Sequence, residues 1–218
     1  MPIKYGILTL VLMLAGCVSP RIMTDNTAFF VDSFSPQGSI WVVAADEAVN
    51  SSLEFIAYKK KFEEKLAAAG YRIVGNQDQA DYIALASYGI GSSQTKTVTT
   101  PIWGTVGFGT RYYTEAYSDA EGNVTYARVA YSIPVYGVVG AHDKSYTSYD
   151  VNIAMDIVEA DSFQQAEPKK IYEGRTKGRS RCAVVVEVFD ELLEAMFTGF
   201  PGDNGHNRKL TVPGEFNC

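Results

Sequence analysis

Histidine and cysteine are scarce in this chain: His142 and His206, with Cys17, Cys182 and Cys218, are all that 218 residues contain. No Gly-x-Ser-x-Gly occurs, so the serine on a strained turn beside an imidazole that triad hydrolysis requires has no support. Both histidines stand among Gly, Asp and Asn. A metal site would need them to converge with Asp143 or Asp203, and solvated histidines are the plainer reading, so neither metal nor cofactor is expected. The glycine-rich "GTVGFG" at 104–109 lacks the Lys-Ser/Thr of a phosphate loop. Cationic excess is missing as well. A formal net charge of −6 argues against nucleic acid as a partner. Beyond the first residues no apolar run reaches the roughly twenty positions of a membrane-spanning helix.

The start of the chain carries the clearest signal. One cation, Lys4, precedes an apolar run from Gly6 to Ala15, and Leu14-Ala15-Gly16-Cys17 follows. A cation, a short apolar core and small residues before a boundary form a secretory signal peptide. These last four residues resemble the lipobox of bacterial lipoproteins. The resemblance implies cleavage before Cys17, diacylglycerol on its thiol and an acyl chain such as palmitate on the new amine. Two or three chains bury enough methylenes to hold a protein on a bilayer, whereas one holds it marginally. Val18 and Ser19 follow the cysteine, which implies the outer membrane in a Gram-negative envelope. The expected organisation is a signal peptide over 1–16, a lipidated tether over 17–28, a domain over 29–202 and a flexible tail over 203–218. Cys182 and Cys218 then either close a disulfide, which an envelope permits, or remain a buried helix thiol and an unpaired one on the tail. The character of "TVPGEFNC" favours the second.

Within the domain, "SIWVVAA" (39–45) reads as a buried strand. Ser51 and Glu54 have the spacing of a capping box. Phe55, Phe62, Leu66 and Ala69 then recur on one helix face until Gly70 stops it. "YRIV" and "ADYIALASYGIG" are the next strands. A Gly- and aromatic-rich stretch from about 101 to 149 holds a hairpin in which "RYYTEAYS" and "VTYARVAYS" flank "DAEGN". "YDVNIAMDIV" alternates with Val151, Ile153, Met155 and Ile157 on one face, and "KKIYEGRT" returns as a strand. A second helix is expected from Ser180, with Val185, Phe189, Leu192 and Met196 as its apolar stripe. The fold expected is α+β: a two-layer sandwich whose largely antiparallel sheet carries two amphipathic helices on one face and a hairpin insertion.

"FEEKLAAAGYRIV" with "QADYIALASYG", through Leu66, Gly70, Tyr71, Ala80 and Asp81, resembles the bacterial lipoprotein domain of unknown function 4136. "VNIAMDIVEAD", "KKIYEGRTKG" and the helix running into Phe200-Pro201-Gly202 resemble its other end. The resemblance covers most of 28–202. It implies a lipid-anchored envelope protein with no catalytic residues to carry over.

Two features stand out as candidate binding sites. Arg175, Lys177, Arg179 and Arg181 alternate in "RTKGRSR", so an extended segment lines them on one face. At a helix start they would face a site that favours anions, such as a lipid phosphate or an acidic glycan. The aromatic stretch holds Trp103, Tyr113, Tyr117, Tyr126 and Tyr131, interleaved with Arg111, Glu115 and Arg128. A core-facing strand would not tolerate that pattern, and rings with polar handles suit partner interfaces. The expectation is a non-enzymatic lipoprotein, bound to membrane lipid through acylated Cys17 and meeting another envelope protein or a cell-wall component. The alternatives are a cell-wall or lipid-acting hydrolase built on carboxylates, and an anion or small-ligand carrier using 175–181. Glu187/Glu191 and Asp190/Glu194, four apart on the second helix, read as surface.

Overall fold

The computed structural model describes residues 21–118, 120 and 123–214; the expected signal peptide over 1–16, Cys17 and Cys218 therefore lie outside the described residues. The strands are β1 (Arg21–Phe30), β2 (Ser39–Ala44), β3 (Arg72–Ile73), β4 (Tyr82–Ser118), β5 (Val124–Glu159), β6 (Lys170–Ser180) and β7 (Asn207–Pro213). The helices are α1 (Leu53–Ala69) and α2 (Phe189–Phe197). All the strands join one sheet in the order β3-β2-β4-β5-β6-β1-β7. The fold is α+β with a mixed sheet: β2 runs parallel to both β3 and β4, while β6 is antiparallel to β5 and β1, and β1 to β7.

The chain divides into two compact units. One comprises 1–94 with 148–218 and the other 95–147. In the first, the alternation foreseen for β5 holds, since Val151, Ile153, Met155 and Ile157 are all buried. They share a core with Ile40 and Val42 of β2, Phe55, Phe62 and Leu66 of α1, and Phe189 and Leu192 of α2. The helices meet through rings: Phe189 stacks on Tyr58 at 3.8 Å and takes Phe62 edge-on at 5.8 Å. Ion pairs flank that contact, Lys61 to Asp190 at 2.6 Å and Lys65 to Glu194. The carboxylates Asp190 and Glu194 thus serve the helix contact.

Local chemistry sets the boundaries of α1. Its N-cap is Ser52 rather than Ser51, with the Ser52 hydroxyl accepting from the Phe55 N–H at 3.0 Å. Gly70 closes the helix at φ +117°, where an added Cβ would stand 2.6 Å from the Pro36 carbonyl oxygen; only glycine fits.

Three expectations need correction. Residues 21–28, read as tether, belong to β1, which lies between β6 and β7. Its inward face is Ile22, Thr24, Asn26 and Ala28; two polar residues among four hide the apolar alternation that marks a strand. Residues 207–213, read as flexible tail, are the edge strand β7, paired to β1 from Thr27↔Asn207 to Arg21↔Pro213. The second helix starts at Phe189, not Ser180, which instead ends β6 and accepts the Cys182 N–H at 3.0 Å through its hydroxyl. The stripe of Val185, Phe189, Leu192 and Met196 is buried as expected, but Val185 belongs to a short 3-10 turn ahead of the helix.

Candidate functional site

The unit formed by 95–147 is a two-stranded β-ribbon. Its strands are the 95–118 part of β4 and the 124–147 part of β5. Cross-strand hydroxyl pairs mark an antiparallel ladder, stepping forward by two on one strand and back by two on the other. Thr95 meets Thr147 at 3.1 Å, Thr97 meets Ser145 at 2.8 Å, and the Thr99 hydroxyl donates to Asp143 at 2.5 Å. Further along, Gly104 lies against Val139 and Gly137 against Val106, each gap filled by the facing valine.

None of the described ribbon residues is buried. Trp103 is 67 % exposed, Phe108 73 %, Tyr126 72 % and Tyr136 72 %. Single exposed apolar residues are ordinary, but here they recur along both strands. Each ribbon strand also has an open outer edge among the described residues. The β2 ladder along β4 ends at Ala86, and the β6 ladder along β5 begins at Tyr149. Past Arg111 the aromatics organise polar groups: Arg128 lies 4.3 Å over the Tyr112 ring, Tyr113 meets Tyr131 edge-on at 5.8 Å, and the Tyr117 hydroxyl donates to Glu115 at 2.8 Å. Trp103, Tyr113, Tyr117, Tyr126 and Tyr131 are thus brought onto one ribbon, all exposed.

The hairpin is far longer than its sequence signal. Gly and Pro punctuate 101–110 and 132–140, which reads as loop. Pro101 and Pro134 nonetheless lie within strands; a strand with one unladdered side accommodates the missing N–H. His142 accordingly lies in β5 rather than in a loop.

The basic strand is occupied internally. Arg175 binds Asp156, and the Arg179 Nε donates to Asp150 at 3.1 Å. Both carboxylates come from β5, where Ala154↔Arg175 and Asp150↔Arg179 face across the ladder. Lys177 sits opposite Asn152 on one side and Asp25 on the other, in an open concavity of ≈ 610 Å³ that it shares with Asp150 and Arg179. Arg181 follows a strand end rather than opening a helix, so the helix-terminus part of the anion expectation falls away.

No catalytic constellation is assembled among the described residues. Burial pushes the phenols of Tyr58, Tyr71 and Tyr172 above their ordinary value, yet all three lie in the core. Asp81 moves the other way: the Ser39 hydroxyl at 2.6 Å and the Ser39 N–H at 2.7 Å hold its carboxyl below the usual value. This exchange pins the start of β4 beside β2, a structural task. The His206 Nδ1 lies 2.9 Å from the Asn204 carbonyl, and no group of three or more His, Cys, Asp or Glu that could hold a metal occurs among the described residues. Nor is any described helix long and apolar enough to cross a membrane.

Cys182 is fully buried and engaged in a disulfide. It lies beyond β6 rather than in a helix. Its partner falls outside the described residues.

Comparison with known proteins identifies no relative: no family model, curated protein or solved structure matches this chain.

Proposed function

We propose that this chain is a lipid-anchored envelope protein whose work is binding rather than catalysis, with the 95–147 ribbon as its interaction arm. The exposed ribbon carries this reading, because two strands with edges unpaired and no residue buried among the described residues present far more recognition surface than folding uses. The anchor is Cys17, acylated after cleavage of residues 1–16, and the location is the outer membrane facing the periplasm, in a Gram-negative host. The similarity to the domain of unknown function 4136 belongs to the same reading. So does a two-layer arrangement, with both helices covering one face of the sheet.

The disulfide at Cys182 supports an oxidising compartment. Only Cys17 and Cys218 remain as partners. An acylated Cys17 has no thiol to offer, so the reading requires a Cys182–Cys218 link. Non-reducing peptide mapping is expected to recover that pair and an acylated peptide beginning at Cys17; a Cys17–Cys182 link would sink the anchor. Photo-crosslinking from Tyr113 or Tyr126 in intact cells tests the arm, with discrete adducts expected. Adducts only from control positions on α1, and none along the ribbon, would refute the binding role. The anion-carrier reading has less support, since Asp156 and Asp150 already occupy Arg175 and Arg179.

A further inference from the structure

We propose that the ribbon is a membrane-inserting β-hairpin, and that several copies of this chain join theirs edge to edge as one closed barrel in lipid. This rests on the reading of the ribbon as the interaction arm, and names what it meets: acyl chains on its surface and further copies at its edges.

The distribution of charge carries the inference. Residues 97–110 of β4 and 129–141 of β5 contain no Asp, Glu, Lys, Arg or His. Thr99 faces Asp143 at one end of the ladder, and Gly109 packs against Val135 and Ile133 nearer the other. The two uncharged stretches therefore lie side by side over 101–109 and 133–141. That length is about the nine to eleven residues with which a tilted strand crosses a bilayer core. Charge returns on both strands just outside the band. Lys96, His142, Asp143 and Lys144 stand at one end, and Arg111, Glu115 and Arg128 at the other.

Aromatic residues mark the borders too. Trp103 lies near the first end, and Tyr112, Tyr113 and Tyr131 just past the second, as rings do at the headgroup level on either side of a bilayer. Within the band every residue is exposed or half-buried, and the polar side-chain groups are the Thr105 hydroxyl, the Tyr136 phenol and the Trp103 indole N–H. A water-facing ribbon has no reason to shed all charge over one membrane thickness on both strands.

The open edges decide the stoichiometry. Hydrocarbon cannot satisfy unpaired backbone groups, so strands cross it only in closed barrels. One copy supplies two strands with two bare edges, and the smallest such barrels have about eight strands. At least about four copies must then contribute, β4 of one beside β5 of the next.

The test uses full-length, anchored protein carrying Trp41→Phe, which leaves Trp103 as the single tryptophan. It is reconstituted into phosphatidylethanolamine/phosphatidylglycerol vesicles with brominated acyl chains and crosslinked with glutaraldehyde. Trp103 emission is expected to be lost to bromine quenching, together with a ladder of bands reaching at least the tetramer. Gly107→Arg, whose site is open with nothing within 4 Å of an added Cβ, is expected to stay vesicle-bound through its acyl chains while losing both signals. Unquenched Trp103 on vesicles that hold the protein would overturn insertion and leave the anchored-binder reading intact. Quenching of a monomer, or unchanged behaviour of Gly107→Arg, would overturn the barrel. An unacylated chain, recognised by its mass, would fail the anchor reading separately.

Discussion

Asp81 shows how one side chain fixes the joint between two strands. Its carboxylate takes both donors of Ser39, while its own N–H points back to the Ser39 hydroxyl at 2.9 Å. Those bonds favour the charged form and hold the carboxyl below its usual 3.8. The folded state therefore binds its proton less readily than the unfolded chain, and the resulting stability is present above that value and lost as pH falls through the lower, folded pKa. Asp81→Asn is expected to lower the melting temperature at neutral pH, and the gap to the parent should narrow in acid; thermal melts across pH 2 to 7 would read it. A gap that persists unchanged at the acid end would mean that geometry rather than charge sets the effect. Cys182 is the second decisive residue. Losing a native disulfide costs about 2–5 kcal/mol in small secreted domains, and Cys182→Ser is expected to fall in that range by urea denaturation.

At the scale of elements, the ring contact between α1 and α2 organises the core. Phe189 is fully buried among Tyr58, Phe62 and Tyr88. Truncating such a ring leaves a cavity that neighbours fill only in part, so Phe189→Ala is expected to cost about 3–5 kcal/mol. The surface pairs beside it weigh much less: Lys61→Ala is expected to cost under about 1 kcal/mol, because exposed ion pairs are screened and entropically costly. Comparing the two variants in denaturant would establish that burial, not charge, joins the helices; similar losses would contradict it. These helices were legible wherever burial and period agreed. Phe55, Phe62 and Leu66 announce α1, and Gly70 its end. The start of α2 was not legible, because Val184, Val185, Val186 and Val188 extend the apolar pattern upstream, while β6 retains the chain as far as Ser180.

At the scale of the molecule, the division into two units makes a direct prediction. The core lies in the unit of 1–94 and 148–218, and no described residue of the ribbon contributes to it. Replacing 95–147 by a short Asn-Gly turn is expected to leave that unit folded and cooperative, with its melting temperature changed little, as calorimetry would measure. A hairpin of this kind has little stability of its own in water. A collapse of the remaining unit would show that the ribbon supports the core after all.

By itself the sequence determined what depends on short-range pattern: the α+β class, the span of β2, the inward face of β5, the stop of α1, and the exposure of the aromatic stretch. Only the tertiary structure decided which chain segments pair. Thr24 and Asn26 are buried because β6 and β7 flank β1, a long-range arrangement that local hydrophobicity does not encode. The ribbon's length was hidden for the opposite reason. Proline and glycine break strands on average, yet Pro101 and Pro134 are accommodated in a ribbon whose outer sides have no neighbouring strand among the described residues. The arginines of β6 likewise looked available until the register with β5 set Asp156 and Asp150 beside them. Period and capping are local physics, whereas pairing is a competition among distant segments that only the folded chain resolves.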